Sequence, residues 1–189
     1  MKRVFIIHGW DGFPENHWFP WLKKELQKLN FKVDIPVMLN PSEPKIEKWV
    51  THLKKIVGKL DAETYLIGHS IGCQTIMRYL AAEENNIQIG GIIFVAGFFN
   101  LPYLKTASEQ NIAKPWLEHN INFSNIKKHA KRIVAIFSDN DPDVPVSDAK
   151  LFKTYLNAKI IIEENKGHFT SEEGVEILPN VIDSIKEMI

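Results

Sequence analysis

The sequence predicts an α/β fold, in which a mostly parallel sheet of about six strands has helices packed on both faces. Short, continuous apolar runs alternate with longer amphipathic segments along the 189 residues. A strand that is apolar without interruption is buried on both faces, as in parallel sheets. Regular alternation of strand and helix implies right-handed crossovers. The length fits one domain, residues 1–189.

Each element follows from its own local pattern. The predicted strands lie at 4–7, 31–37, 64–67, 89–96, 133–137 and 159–162, and the predicted helices at 15–29, 46–57, 71–82, 147–156 and 171–189. Pro179 interrupts the last helix, and Ser42 is placed to cap the second one. Residues 97–122 lack clear periodicity and contain Pro102 and Pro115, so an irregular insert is expected there.

Charge and cysteine content narrow the classes of function. Lys plus Arg and Asp plus Glu both total 23, so there is no general attraction to nucleic acid or to anionic membranes. The single cysteine, Cys73, excludes an internal disulfide and fits a reducing compartment. The first apolar run is too short for a signal peptide or a membrane span. We therefore expect a cytoplasmic protein that binds neither nucleic acid nor membrane.

A glycine-flanked serine follows the third predicted strand. Gly68, Ser70 and Gly72 form a Gly-x-Ser-x-Gly pattern between a strand and a helix, which is the context of a nucleophile turn. The glycines let strand and helix approach closely, and the helix N-terminus directs free N–H groups towards an oxyanion beside the serine. Two alternatives remain open. The segment could be a glycine-rich helix cap with an incidental serine, or Cys73 could be the nucleophile, although Cys73 is better explained as a small, buried apolar residue.

A base and an acid follow the last two strands. His168 comes after the sixth strand, next to Gly167, and can activate a serine that is too weak an acid to react unaided. Asp141 lies after the fifth strand in Asp-x-x-Val-Pro and is the preferred partner for the histidine, with Asp139 next. The alternating acids 139, 141 and 143 suggest calcium, but the segment lacks the glycine and distal glutamate of a calcium loop. We expect no metal and no cofactor.

The remaining histidines have no comparable placement. His17, His52, His119 and His129 lie on predicted helices or in irregular segments, and His69 is expected to pack beside the serine turn. The order Ser, Asp, His along the chain is that of α/β-hydrolases. Each of the three residues follows a different strand, so a parallel sheet brings them to the same edge.

Backbone amides and aromatic side chains complete the predicted site. The amides of Trp10 and Ile71 are the expected oxyanion donors, because a glycine-flanked loop follows the first strand and a helix begins at Ile71. An apolar pocket for an acyl or leaving group is expected nearby, with ordinary core packing as the alternative for each residue. Its candidates are His8, Trp10, Phe98, Phe99, Tyr103 and Trp116.

With these residues assigned, the sequence resembles the family of small serine hydrolases that includes YdeN and retinoblastoma-binding protein nine. The similarity extends over nearly the whole chain. It rests on His8-Gly9-Trp10, His17-Trp18, Trp21-Leu22, Gly68-His69-Ser70, Met77-Arg78-Tyr79, Lys114-Pro115-Trp116, Asp141-Pro142 and Gly167-His168-Phe169. The resemblance implies a compact α/β-hydrolase without a large lid, and a triad of Ser70, Asp141 and His168. Membership does not settle a natural substrate, and a partner-binding role has been proposed for some members.

The sequence thus favours a serine hydrolase that cleaves a small carboxylic ester or related acyl compound through an acyl-enzyme on Ser70. Two other functions remain open. One is a protein-binding module that retains the hydrolase fold, and the other is an acyltransferase.

Overall fold

A six-stranded, wholly parallel sheet forms the centre of the protein, seen in a computed structural model that describes residues 1–118 and 120–189. The strands are β1 (Arg3–Ile7), β2 (Lys32–Asp34), β3 (Thr64–His69), β4 (Gly91–Val95), β5 (Ile133–Ser138) and β6 (Lys159–Glu163). Their spatial order is β2-β1-β3-β4-β5-β6. The predicted fold class and strand number are confirmed.

Helices cover both faces of this sheet. They are α1 (Phe19–Lys28), α2 (Ile46–Val57), α3 (Ile71–Ala81), α4 (Ala107–Glu118), α5 (Phe123–His129), α6 (Asp148–Leu156) and α7 (Pro179–Met188). Apolar residues of α1 and α7 pack together on one face, and those of α2, α3, α5 and α6 pack on the other. Successive residues of β3 alternate between these two clusters, with Leu66 in one and Ile67 in the other. Within the described ranges, no helix is both long and apolar enough to cross a bilayer.

Helix α1 begins four residues later than the periodicity predicts. The preceding segment is a turn, in which the Phe13 amide donates to Asn16 Oδ1 at 2.7 Å. His17 then adopts a positive φ of 54°, which a right-handed helix cannot contain. Strand β2 is shorter than the predicted 31–37, ending at Asp34, and Pro36 lacks the N–H that would continue the ladder.

Two other segments differ from expectation. The insert at 97–122 is not irregular throughout, because its described part contains α4 with Pro115 inside it. The predicted helix at 171–189 is instead a 3₁₀ turn (Ser171–Glu173) followed by α7, which Pro179 begins in the position where its missing N–H costs nothing. Ser42 does not cap α2, since Lys45 occupies the N-cap position.

The carboxyl ends of the strands bring three loops to one edge. Strand β3 is buried along its whole length between β1 and β4 and leads directly into α3. The β5 and β6 ends are aligned by pairing of Ser138 with Glu163. The loops after β3, β5 and β6 therefore open on the same side of the sheet.

Candidate active site

The turn between β3 and α3 holds Ser70 in a strained backbone conformation. Its φ of 53° and ψ of −121° lie outside the ordinary regions for an L-residue. A Cβ on Gly68 would lie 2.7 Å from the Cys73 amide nitrogen, and one on Gly72 would lie 2.8 Å from the His8 carbonyl and closer still to that of Ile7. Both glycines of the motif are thus required by backbone contacts. The Ser70 amide donates to the Val95 carbonyl at 2.9 Å, which ties the turn to β4.

Cys73 lies one helical turn beyond Ser70 and is fully buried. Its thiol lies 3.4 Å from the Val95 carbonyl. Burial raises the pKa of Cys73, so the thiol stays protonated at neutral pH and is a poor nucleophile. The geometry therefore favours Ser70 over Cys73 as the reactive group.

His168 and Asp141 form a buried hydrogen-bonded pair. Nδ1 of His168 lies 3.0 and 2.9 Å from the two carboxylate oxygens of Asp141, whose side chain is only 2% exposed. Asp141 Oδ1 also accepts hydrogen bonds from the backbone amides of Asp143 and Val144, each at 2.9 Å. A carboxylate only accepts, so the proton of the neutral ring lies on Nδ1 and Nε2 presents a lone pair.

The protonation equilibrium of His168 reflects two opposing effects. Burial disfavours the charged ring, but the hydrogen bond and negative charge of Asp141 outweigh burial and raise the pKa of His168. The charges of Asp143 and Glu173 act in the same direction. The imidazolium that forms when His168 accepts a proton is therefore stabilised where it forms.

The loops after β5 and β6 are joined by three hydrogen bonds that the sequence pattern does not predict. Three side chains, at the end of β5 and in the loop after it, accept hydrogen bonds from backbone amides of the β6 loop at 2.8–3.0 Å, immediately before the Asp141–His168 pair. The acceptors are Ser138, Asp139 and Asn140, and the donors are Lys166, Asn165 and Gly167 respectively. Asp139, the second candidate for the acid, is thus bonded to the loop backbone and not to His168. Only knowledge of which loops are neighbours could have revealed these hydrogen bonds.

Glu173 and His69 hold the backbone of His168 from the other side. Oε2 of Glu173 accepts the His168 amide at 2.7 Å. Gly167 has a positive φ of 52°, and a Cβ there would collide with the Glu173 carboxylate. His69 packs beside the serine turn as predicted, and its Nε2 lies 2.8 Å from the His168 carbonyl. Burial is the main cause that lowers the pKa of His69 well below its usual value, so the ring is neutral and donates from Nε2.

A cavity of about 420 Å³ opens between the strand ends and α4. Ser70 and His168 both line it, as do Trp10 and Ile71, the two predicted oxyanion residues. In the described part of the chain, the Trp10 amide has no acceptor. Ile71 is the first residue of α3, where an amide has no partner within the helix. Neither amide is therefore bound to an acceptor among the described residues.

The predicted apolar pocket needs correction at several residues. Phe98 lines the cavity, but His8, Phe99, Trp116 and Tyr103 do not. The apolar wall consists instead of Trp10, Phe98, Leu101, Leu104 and Ile112. The segment 97–122 thus forms a wall of the site, and sequence composition alone could not show which of its side chains face inwards.

The excluded side chains have other contacts that explain their positions. His8 is buried, with Nδ1 2.8 Å from the Gly9 carbonyl and Nε2 accepting the Met38 amide at 3.0 Å. Phe99 packs against the rings of Phe152 and Tyr155. Trp116 is buried and donates from its indole to the Pro44 carbonyl at 3.1 Å. These residues stabilise the loops around the cavity without lining it.

His17 lies in this cavity, although its sequence position gave no sign of it. It lines the cavity, and its Nδ1 accepts the amide of Ser171 at 3.0 Å. Its ring centroid is 5.6 Å from that of His69. A helical pattern beginning at residue 15 hid the turn that carries this side chain. His119 lies outside the described residues.

One group of side chains is close enough to share a metal ion. Ligand atoms of Asp141, Asp143 and His168 all lie within 4.8 Å of one another. However, the Nδ1 of His168 and the carboxylate of Asp141 already bond to each other, and a metal there would have to displace that bond. The absence of a metal requirement stays a prediction.

Comparisons with known proteins agree with this architecture. A family model described as serine hydrolase matches residues 4–187. YdeN of Bacillus subtilis is 37% identical over 183 residues, covering 96% of this chain and 93% of YdeN. The YdeN crystal structure matches with a TM-score of 0.90 and 34% identity, over 100% of this chain and 98% of that one. Serine hydrolase RBBP9 of Rattus norvegicus is 25% identical over 185 residues, covering 94% of this chain and 91% of RBBP9.

A more distant structure shares the fold alone. Est1E of Butyrivibrio proteoclasticus with bound ferulic acid has a TM-score of 0.71 at 18% identity, over 98% of this chain and 90% of Est1E. The family model spans almost the entire chain, and YdeN is similar over nearly its full length. The chain therefore belongs to the serine hydrolase family.

Proposed function

We propose that this hydrolase cleaves small carboxylic esters or related acyl compounds through an acyl-enzyme on Ser70. The proposal depends on the hydrogen bond between His168 and Asp141, which fixes the proton of the His168 ring on Nδ1. His168 and Ser70 line the same cavity. This arrangement leaves the Nε2 lone pair of His168 as the available base.

The reaction uses each of these groups in turn. Ser70 Oγ attacks the carbonyl carbon and passes its proton to Nε2 of His168, while the negative charge of the tetrahedral intermediate is stabilised by the amides of Trp10 and Ile71. His168 then donates that proton to the departing alcohol, which leaves an ester on Ser70. Water, deprotonated by His168, attacks this ester, and His168 returns the proton to Ser70 Oγ as the acid is released. Asp141 keeps its charge throughout and stabilises the imidazolium.

The cavity favours a small and partly apolar substrate. Its volume of about 420 Å³ lies at the lower end of ligand sites. The side chains of Phe98, Leu101, Leu104 and Ile112 supply an apolar wall, which stabilises a short hydrocarbon group by removing it from water. We therefore expect short-chain esters to be better substrates than long-chain ones.

A fluorophosphonate probe tests the nucleophile directly. Wild type should be labelled on Ser70, as mapped by mass spectrometry, and Ser70→Ala should not. Cys73→Ala is a matched control, because it alters a nearby nucleophilic residue that the buried position makes unreactive. Its labelling should equal that of wild type. Absence of labelling at neutral pH in folded wild type, together with no turnover of short-chain esters, would overturn the proposal.

A further inference from the structure

The side chain of His17 lines the cavity but has no role in the reaction sequence above. His17 lies in the turn before α1, with a φ of 54°. Its side chain is 12% exposed. The rings of Phe19 and His69 pack edge-on against it, with centroids 5.7 and 5.6 Å away. The imidazole is therefore held in one orientation by its surroundings.

Hydrogen bonds to the 3₁₀ turn determine which ring nitrogen bears the proton. The backbone amide of Ser171 can only donate, and it lies 3.0 Å from Nδ1 of His17. Nδ1 must therefore present its lone pair, so that the proton lies on Nε2. The Ser171 hydroxyl, 3.2 Å from the same Nδ1, is compatible with this tautomer.

The other side of the His17 ring faces an open position. Throughout the described ranges, Nε2 of His17 has no protein partner. The atom is not buried, because it is absent from the set of buried polar atoms without a partner. Burial is the largest effect on the ring and lowers the pKa of His17; the charge of Glu172 opposes it and that of His168 reinforces it. Nε2–H is consequently a neutral, oriented donor that is accessible and has no partner among the described residues.

We propose that His17 is a substrate-binding residue that donates Nε2–H to a second oxygen of the ester, separate from the scissile carbonyl. This inference rests on the proposed esterase function, and it names the substrate class as small esters that bear an ether, hydroxyl or carbonyl oxygen in the acyl or alcohol group. A bound ester without that oxygen covers Nε2–H without pairing it, and this selects against such an ester.

Matched ester pairs test the proposal by replacing one methylene with oxygen. The pairs are p-nitrophenyl butanoate with methoxyacetate, p-nitrophenyl pentanoate with methoxypropanoate, and butyl butanoate with methoxyethyl butanoate. For each pair, kcat/KM of the oxygen-containing ester is divided by that of its hydrocarbon counterpart. The intrinsic reactivity of each ester cancels when this ratio is compared between enzyme variants.

Two substitutions separate donation to substrate from support of the loop. His17→Asn tolerates the positive φ and keeps an acceptor for the Ser171 amide, but it is too short to supply a donor at the Nε2 position. His17→Gln places an amide N–H near that position. For at least one pair, the ratio should fall by about threefold to tenfold in His17→Asn and stay near the wild-type value in His17→Gln.

The outcomes distinguish this inference from the proposed function. Equal ratios in all three enzymes, with fluorophosphonate labelling of Ser70 intact, would overturn the role of His17 alone. Loss of labelling in folded wild type would instead overturn the esterase function. Nitrogen-15 NMR of the wild-type imidazoles is a second measurement that needs no variant. We expect a neutral, Nε2-protonated His17 at pH 7, and a charged or Nδ1-protonated ring would contradict the assignment.

Discussion

Replacing Gly72 with alanine has two opposing effects on the free energy of unfolding: a gain in helix propensity and a collision with the backbone. Gly72 is the second residue of α3, and alanine in a helix interior is more stable than glycine by about 1 kcal/mol. The new Cβ, however, would lie 2.8 Å from the His8 carbonyl oxygen and closer to that of Ile7. Neither atom can rotate away, because both belong to the backbone at the end of β1. Relief requires α3 and β1 to separate, and such overpacking costs about 3 kcal/mol.

The collision outweighs the propensity, so Gly72→Ala should be destabilised by about 2 kcal/mol. For a chain of 189 residues this corresponds to a fall in Tm of about 4–8 °C. Calorimetry measures Tm, and fluorophosphonate labelling reports on Ser70. Labelling should also slow, since the shift moves the Ile71 amide away from Trp10.

A control separates this collision from the loss of glycine as such. A Cβ on Gly174 would meet nothing within 4 Å, so Gly174→Ala bears only the cost of its φ of 78°, about 1 kcal/mol. It should retain wild-type labelling. The reasoning is refuted if Gly72→Ala is as stable as wild type or more stable than Gly174→Ala.

Other predictions concern the candidate triad and its neighbours. Because Asp141 raises the pKa of His168, kcat/KM should rise with pH through an apparent pKa above 6.5, where His168 becomes neutral. In Asp141→Asn, a pH–rate profile should show a lower apparent pKa and a loss of kcat/KM on the order of a thousandfold or more. Asp139→Asn keeps an acceptor for the Asn165 amide and should leave kcat/KM within about twofold of wild type; a loss like that of Asp141→Asn would reverse the assignment of the acid. Iodoacetamide should not inactivate the folded enzyme, because burial keeps the Cys73 thiol protonated, and mass spectrometry should find Cys73 unmodified. Prolonged treatment with EDTA should leave ester turnover unchanged, and loss of activity restored by a divalent cation would instead assign Asp141, Asp143 and His168 to a metal site.

The features that the sequence predicts well are those determined by short stretches of chain. The strand before Ser70 has buried apolar residues at its centre, Leu66 and Ile67. The two glycines around Ser70 are fixed by contacts within the same turn and with the end of β1. The Asp141–His168 pair was predictable because each residue follows a strand of a parallel sheet. Once strand order is known, such residues meet without further information.

The features that were missed depend on contacts between distant segments. His17 is hidden because a positive φ interrupts an otherwise helical pattern, and its partner Ser171 lies 154 positions further along the chain. The prediction that Phe99 and Trp116 line the pocket is wrong for a related reason. Phe99 and Trp116 are large apolar side chains, and the core buries them as readily as a cavity would. Composition cannot distinguish these two environments.

His69 couples the candidate nucleophile to the candidate base. It directly precedes Ser70, and its Nε2–H donates to the carbonyl of His168, so a shift of one loop is transmitted to the other. This bond forces Nδ1 of His69 to be an acceptor, and in the described part of the chain that buried atom has no partner. An unsatisfied buried nitrogen is destabilising. The hydrogen bond from Nε2 nevertheless ties the residue before Ser70 to the backbone of His168 before substrate binds. Such prior alignment lowers the entropic part of the barrier to reaction. A residue between the candidate nucleophile and its flanking glycine therefore links the loops that carry both candidate catalytic residues.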